Sequence, residues 1–203
     1  MTKIKLCGLS RIEDIELANQ LAPEYVGFVF WEKSKRNVSL EQARLLREKL
    51  DESILSAGVF VDADMEYILT LVQAGIINIV QLHGHEDEAY IRDLRKLVDC
   101  PIIKAFCIRN DEDMELANKS SADMVLLDSG MGTGVTFDWR RLKFVSRSYI
   151  LAGGLNPSNI VEAVTTLHPF GVDVSSGIET DGLKDPAKMR EFVRLVREQN
   201  DFS

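Results

Sequence analysis

The chain has 203 residues, 24 Lys plus Arg against 32 Asp plus Glu, a formal charge of −8 and 45% hydrophobic residues. That apolar share suits a folded domain rather than a disordered chain, and no apolar run nears the ~18 residues of a membrane span. The acidic balance disfavours a nucleic-acid surface, Met1 to Cys7 is too short for a signal peptide, and three cysteines without a CxxC pair predict a reduced, cytoplasmic protein.

Short β-rich runs alternate with helix-period runs along the whole chain. Ile4 to Cys7 is the first strand, and Ser10 is the expected N-cap of a helix from Arg11 to Leu21. Tyr25 to Phe30 is the second strand. Ser39 caps the next helix, which runs through Leu50. Ile54 to Val61 is the third strand, followed by a helix with Met65, Ile68, Leu69 and Val72 on one face. Asn78 to Leu82 is the fourth, with a helix from Glu86 to Leu97. Pro101 opens the strand Ile102 to Phe106, and a helix over Asp111 to Asn118 follows.

Asp123 to Asp128 is the sixth strand. A glycine-rich loop then leads to a helix from Trp139 to Val145. Tyr149 to Ala152 is the seventh strand, and Asn156-Pro157 reads as an N-cap followed by proline at the first helical position. Gly171 to Val174 is the eighth strand. Asp185-Pro186 starts a last helix with Met189, Phe192, Val193 and Val196 inward. Eight such units, with strands apolar on both sides, predict a single α/β domain over 1–203, a (β/α)8 TIM barrel. An open doubly wound sheet is the runner-up, and it lacks its dinucleotide fingerprint here.

A barrel of this kind builds its site at the C-terminal ends of the strands. Cys7 ends the first strand and Asp128 the sixth. A thiolate can act as a base, and an aspartate at an apolar rim suits a general acid. The run Gly130-Met131-Gly132-Thr133-Gly134 departs from G-x-G-x-x-G and reads as a flexible or anion-contacting loop. Gly153-Gly154 and Ser175-Ser176-Gly177 follow strands seven and eight, where such barrels hold phosphate on backbone N–H groups. His83 and His85 form an H-x-H pair that lacks further metal ligands, so one inward and one rim histidine is expected, and no metal.

These positions fall in longer motifs: Lys5-Leu6-Cys7-Gly8, Gly27-Phe28-Val29-Phe30 with Ser34-Lys35-Arg36-Asn37-Val38, Gly58-Val59-Phe60-Val61 and Val80-Gln81-Leu82-His83-Gly84. Leu127-Asp128-Ser129, Gly132-Thr133-Gly134 with Phe137-Asp138-Trp139, Leu151 to Pro157, and Gly171 to Glu179 complete the series. In order and spacing the chain resembles the phosphoribosylanthranilate isomerase family over essentially its whole length. The resemblance implies a cofactor-free Amadori rearrangement in tryptophan biosynthesis. Asp128 is then the general acid that opens the ribose ring and Cys7 the base that removes the C2′ proton. Arg36 meets the anthranilate carboxylate, Asp173 orients the substrate, and Gln81 and His83 line the site. Gly153, Gly154, Ser176 and Gly177 hold the phosphate of this small phosphosugar. Neither nucleic acid nor membrane is an expected partner, and monomer and homodimer both fit.

Two positions depart from the family pattern. Lys35 stands where the family has proline, and Met131-Gly132 where it has two glycines. Among rivals, the aldose-ketose isomerase of histidine biosynthesis would need two aspartates, and Cys7 argues against it. A metal-dependent epimerase would need a ligand set that is absent from the sequence. Indole-glycerol-phosphate synthase would need catalytic lysines, of which Lys104 is one candidate. A non-catalytic phosphosugar-binding barrel would keep the phosphate loops and lose Cys7 or Asp128.

Overall fold

The computed structural model describes residues 1–128, 142 and 145–201. Eight parallel strands close into a barrel in sequence order: β1 (Lys3–Cys7), β2 (Tyr25–Phe30), β3 (Leu55–Phe60), β4 (Ile79–Leu82), β5 (Ile102–Cys107), β6 (Met124–Asp128), β7 (Tyr149–Ala152) and β8 (Gly171–Val174). β8 pairs back onto β1, with Lys5 beside Asp173 and Leu6 beside Val174. The expected (β/α)8 barrel is therefore what the chain forms.

Alternation along each strand divides the apolar residues into two layers. One side of the strands, with Tyr25, Ala57, Ile79, Ile103, Leu126 and Ile150, fills the barrel. The other side, with Leu6, Phe28, Phe60, Val80, Leu127 and Val172, packs under the helices. Strands buried on both faces need this unbroken apolar character.

The described helices are α1 (Ile12–Leu21), α2 (Leu40–Lys49), α3 (Met65–Gln73), α4 (Glu88–Leu94), α5 (Asp111–Lys119), α6 (Ile160–Leu167) and α7 (Pro186–Asp201). Ser39 caps α2 by accepting from the Gln42 amide, and Asp185 accepts from the amides of Ala187 and Lys188 at the start of α7. Among the described residues no helix is long and apolar enough to cross a membrane. The expected 139–145 helix and the Gly130 to Gly134 loop fall mostly outside the described residues.

Three helix starts differ from expectation. Arg11, not Ser10, is the N-cap of α1, because Asp14 accepts from both the Ser10 and Arg11 amides and from the Arg11 guanidinium. Glu86 does not open α4. It is buried against Lys104, and Asp87 caps the helix two residues later than expected. Asn156 accepts from the Ser158 amide and closes a turn, so α6 begins at Ile160. A further element was not foreseen. After β8, a 3₁₀ turn (Ser176–Ile178) leads into a small hairpin, β9 (Glu179–Thr180) and β10 (Leu183–Lys184). Asp181 at φ 52° and Gly182 at φ 81° supply the two left-handed residues its two-residue turn requires.

Candidate active site

Period-two alternation sends Lys5 and Cys7 of β1 into the barrel together. Cys7 lies beside Gly27 of β2 in register. A Cβ placed on Gly27 would stand 2.7 Å from Cys7 Sγ and 3.1 Å from Lys5 Nζ, so the missing side chain makes the room both groups occupy. Lys5 Nζ donates to Asp173 Oδ1 at 2.9 Å, an ion pair whose side chains are 1% and 8% exposed. Pairing is what makes two buried charges tolerable here.

Burial pushes the Cys7 thiol above its ordinary 9.0, and Asp173 adds to this; Lys5 and Lys184 pull the other way and do not cancel it. Burial works most strongly against the Lys5 charge, but Asp173 and Cys7 together outweigh it and hold the ammonium above its ordinary value. The resting state is thus a neutral thiol above a Lys5–Asp173 ion pair.

Cys7 opens onto a cleft of about 500 Å³ at the C-terminal mouth of the barrel. Arg36, Gln81, His83, Asp128 and Asp173 share its wall. Gly153, Gly154 and Ser176 line the β7–β8 side. Gly153 (φ 87°) and Gly154 (φ 66°) are both left-handed, the conformation that opens their backbone to a ligand at no side-chain cost. Gly177 differs from expectation. It lies outside the lining, and a Cβ on it would stand 1.8 Å from the Leu155 carbonyl oxygen. Its smallness lets the 3₁₀ turn press against the loop after β7.

Gln81 is fully buried, and its Nε2 lies 3.0 Å from His83 Nδ1. With Gln81 donating, His83 keeps its proton on Nε2, which faces Asp128 Oδ2 at 3.7 Å. Gln81 Oε1 is then a buried acceptor without a hydrogen-bond partner among the described residues. His85 is 95% exposed and bonds Asp62, so one histidine lines the cleft and the other the rim.

Arg36 arrives from the loop after β2. Its Nε and Nη2 donate to Glu179 Oε1 and Oε2 at 2.5 and 2.8 Å. Burial would push the Glu179 carboxyl up, but hydrogen bonds from Arg36 and Lys184 bring it down to about 2. Lys104, the rival lysine, is bound to Glu86 and the Gly84 carbonyl. No group of three or more metal-ligating side chains occurs among the described residues.

Comparison with known proteins decides the family. The model of N-(5'phosphoribosyl)anthranilate (PRA) isomerase matches residues 4–195. The chain belongs to this isomerase family. One family member, from Clostridium kluyveri, is 44% identical over 201 residues, covering 97% of this chain and 98% of the relative. A crystal structure of phosphoribosyl anthranilate isomerase with reduced 1-(o-carboxyphenylamino)-1-deoxyribulose 5-phosphate superposes with a TM-score of 0.87 at 36% identity, covering 98% of this chain and all of that one. Monomers generated from the dimeric Thermotoga maritima isomerase give a TM-score of 0.86 at 36% identity, over 98% and 100% of the two chains.

Sequence reasoning missed Lys5, Glu179 and Lys184, which hold the cleft side chains Asp173 and Arg36 in place. Lys5 carried a readable signal, a charge inside an apolar strand. Glu179 closes the motif Gly171 to Glu179, but neither it nor Lys184 carried a sign of its partner, because the hairpin that presents them was not foreseen.

Proposed function

We propose that the chain converts N-(5-phosphoribosyl)anthranilate into 1-(2-carboxyphenylamino)-1-deoxyribulose 5-phosphate in tryptophan biosynthesis, with Asp128 as acid and Cys7 as base. The observation that carries the assignment of roles is the convergence of Cys7 and Asp128, from β1 and β6, on one cleft. In the first step Asp128 gives its proton to the ribose ring oxygen. The C1′–O bond breaks, and the anthranilate nitrogen lone pair forms the C1′=N iminium. The Asp128 carboxylate left behind faces the His83 Nε2 proton.

The iminium acidifies the C2′ proton. Cys7, having released its own proton to solvent in the open cleft, accepts the C2′ proton as thiolate, and the C–H electron pair forms the C1′=C2′ bond of a neutral enolamine, which tautomerises to the ketone. A thiol held up by burial needs help to ionise, and the cationic iminium beside it supplies the missing positive charge, together with Lys5. Arg36 takes the anthranilate carboxylate. Asp173, fixed by Lys5, and Gln81 Oε1, which has no hydrogen-bond partner among the described residues, orient the sugar hydroxyls. Phosphate sits on the backbone of Gly153, Gly154 and Ser176, with Gly177 closing the loop behind it. The enzyme works in the cytoplasm as a monomer or homodimer.

The test is a coupled assay that follows anthranilate fluorescence while phosphoribosylanthranilate made in situ is consumed. Cys7→Ser and Asp128→Asn should each lower kcat by about 10²–10⁴. Normal turnover by both variants would sink the assigned roles, and no turnover by the native chain would sink the function.

A further inference from the structure

Arg36 can recognise a carboxylate only if its fork points at one, and a surface arginine has many rotamers. In this chain the fork is clamped. Glu179 takes the Nε/Nη2 edge with both oxygens. Gly8, at φ 74°, leaves the arginine stem room to pass, for a Cβ there would meet Arg36 Cδ at 2.5 Å. Nη1 has no hydrogen-bond partner among the described residues, so the Nη1/Nη2 edge is an intact second fork in the cleft wall.

A lone carboxylate would neutralise the arginine it holds. Here Lys184 Nζ, 2% exposed, binds Glu179 Oε1 at 2.8 Å, and Lys35 Nζ lies 3.5 Å from Oε2. Three cations thus share one anion, and the group keeps positive charge for an anionic ligand on a chain of net charge −8. Lys184 is itself fixed by the Ser175 carbonyl, and Ser175 Oγ donates to the Cys7 carbonyl. The clamp is therefore tied to the strand end that carries the thiol. Lys35, the departure from the family's proline, tethers the loop to this carboxylate.

We propose that Glu179 is a positioning residue of the reaction: it aims Arg36 at the carboxylate of the anthranilate ring, with Lys184 and Lys35 maintaining the positive charge of the clamp. This rests on the assignment of Arg36 to that carboxylate. Fixing the fork before binding avoids ordering it at the moment of recognition.

The experiment measures calorimetric affinity for the reduced product analogue and for the same compound lacking the ring carboxylate. Glu179→Gln alone strands the Lys184 charge, so the variants are Glu179→Gln/Lys184→Met, which removes both, and Glu179→Asp, which keeps the charge but withdraws it by one methylene. Arg36→Met is the reference, and thermal unfolding checks each fold. The native chain should prefer the carboxylated compound and Arg36→Met should not. Both Glu179 variants should lose about tenfold of the preference while binding the carboxylate-free compound as the native chain does. In turnover Glu179→Asp, which leaves Lys184 in place, should raise KM with kcat little changed. Native preference retained in both folded Glu179 variants overturns the proposal. A native chain with no preference overturns the Arg36 assignment beneath it.

Discussion

Cys7 has to lose a proton before it can accept one, and its surroundings decide when. Burial and Asp173 hold it protonated in the free enzyme, above the ordinary 9.0. The pH profile of kcat/KM reports the free enzyme and that of kcat the complex. The rising limb of kcat/KM should therefore lie in the alkaline range, and the limb of kcat at lower pH, where the iminium assists. Coincident limbs near neutrality would rule this out. Glu179 titrates at the other end. Its folded value of about 2 lies below the ordinary 4.5, so the stability it contributes is complete above about pH 4.5 and disappears as pH falls through 2. Denaturant midpoints measured between pH 5 and 2 should fall less steeply for Glu179→Gln/Lys184→Met than for the native chain; equal slopes would show that this carboxylate does not govern acid stability.

At the scale of elements, Gly177 lets the turn after β8 pack directly against the loop after β7. The atom that would block a side chain there is a backbone carbonyl, which cannot rotate aside. Gly177→Ala should cost about 1–3 kcal/mol in unfolding free energy and raise KM, since the two loops proposed to hold phosphate must separate. Unchanged denaturation and KM would contradict this. The strands were legible in the sequence because burial on both faces writes a continuous apolar run. Cys7, Asp128, Gln81 and Gly153-Gly154 were legible because they end such runs. Helix starts were harder, since capping by Asp14 or Asp87 competes with equally plausible serines and glutamates nearby. Glu86 has the sequence setting of a helix opener, but its partner, Lys104 on β5, is distant in sequence. Glu179 and Arg36 are 143 residues apart, and no local pattern relates them.

On the scale of the whole molecule, the chain folds as a ring whose seam lies between β1 and β8. Backbone pairing, the Lys5–Asp173 ion pair and mutual hydrogen bonds between Thr2 and Asn200 cross or flank it. A chain ended at residue 170 would lack β8, leave Lys5 buried without its counter-ion and leave Arg36 without its clamp. It should show no cooperative thermal transition under conditions where the full chain melts sharply. A sharp transition in that fragment would mean that the barrel does not depend on the seam.

The seam also sets an order in time. During synthesis the strand bearing the thiol emerges long before the aspartate beneath it. Until residue 173 leaves the ribosome, Lys5 has only water to offset its charge, and β1 gains nothing by burying it. The end of the site that bears the proposed base is thus made early and completed late, so a stalled or truncated product carries an idle cysteine rather than a half-working enzyme.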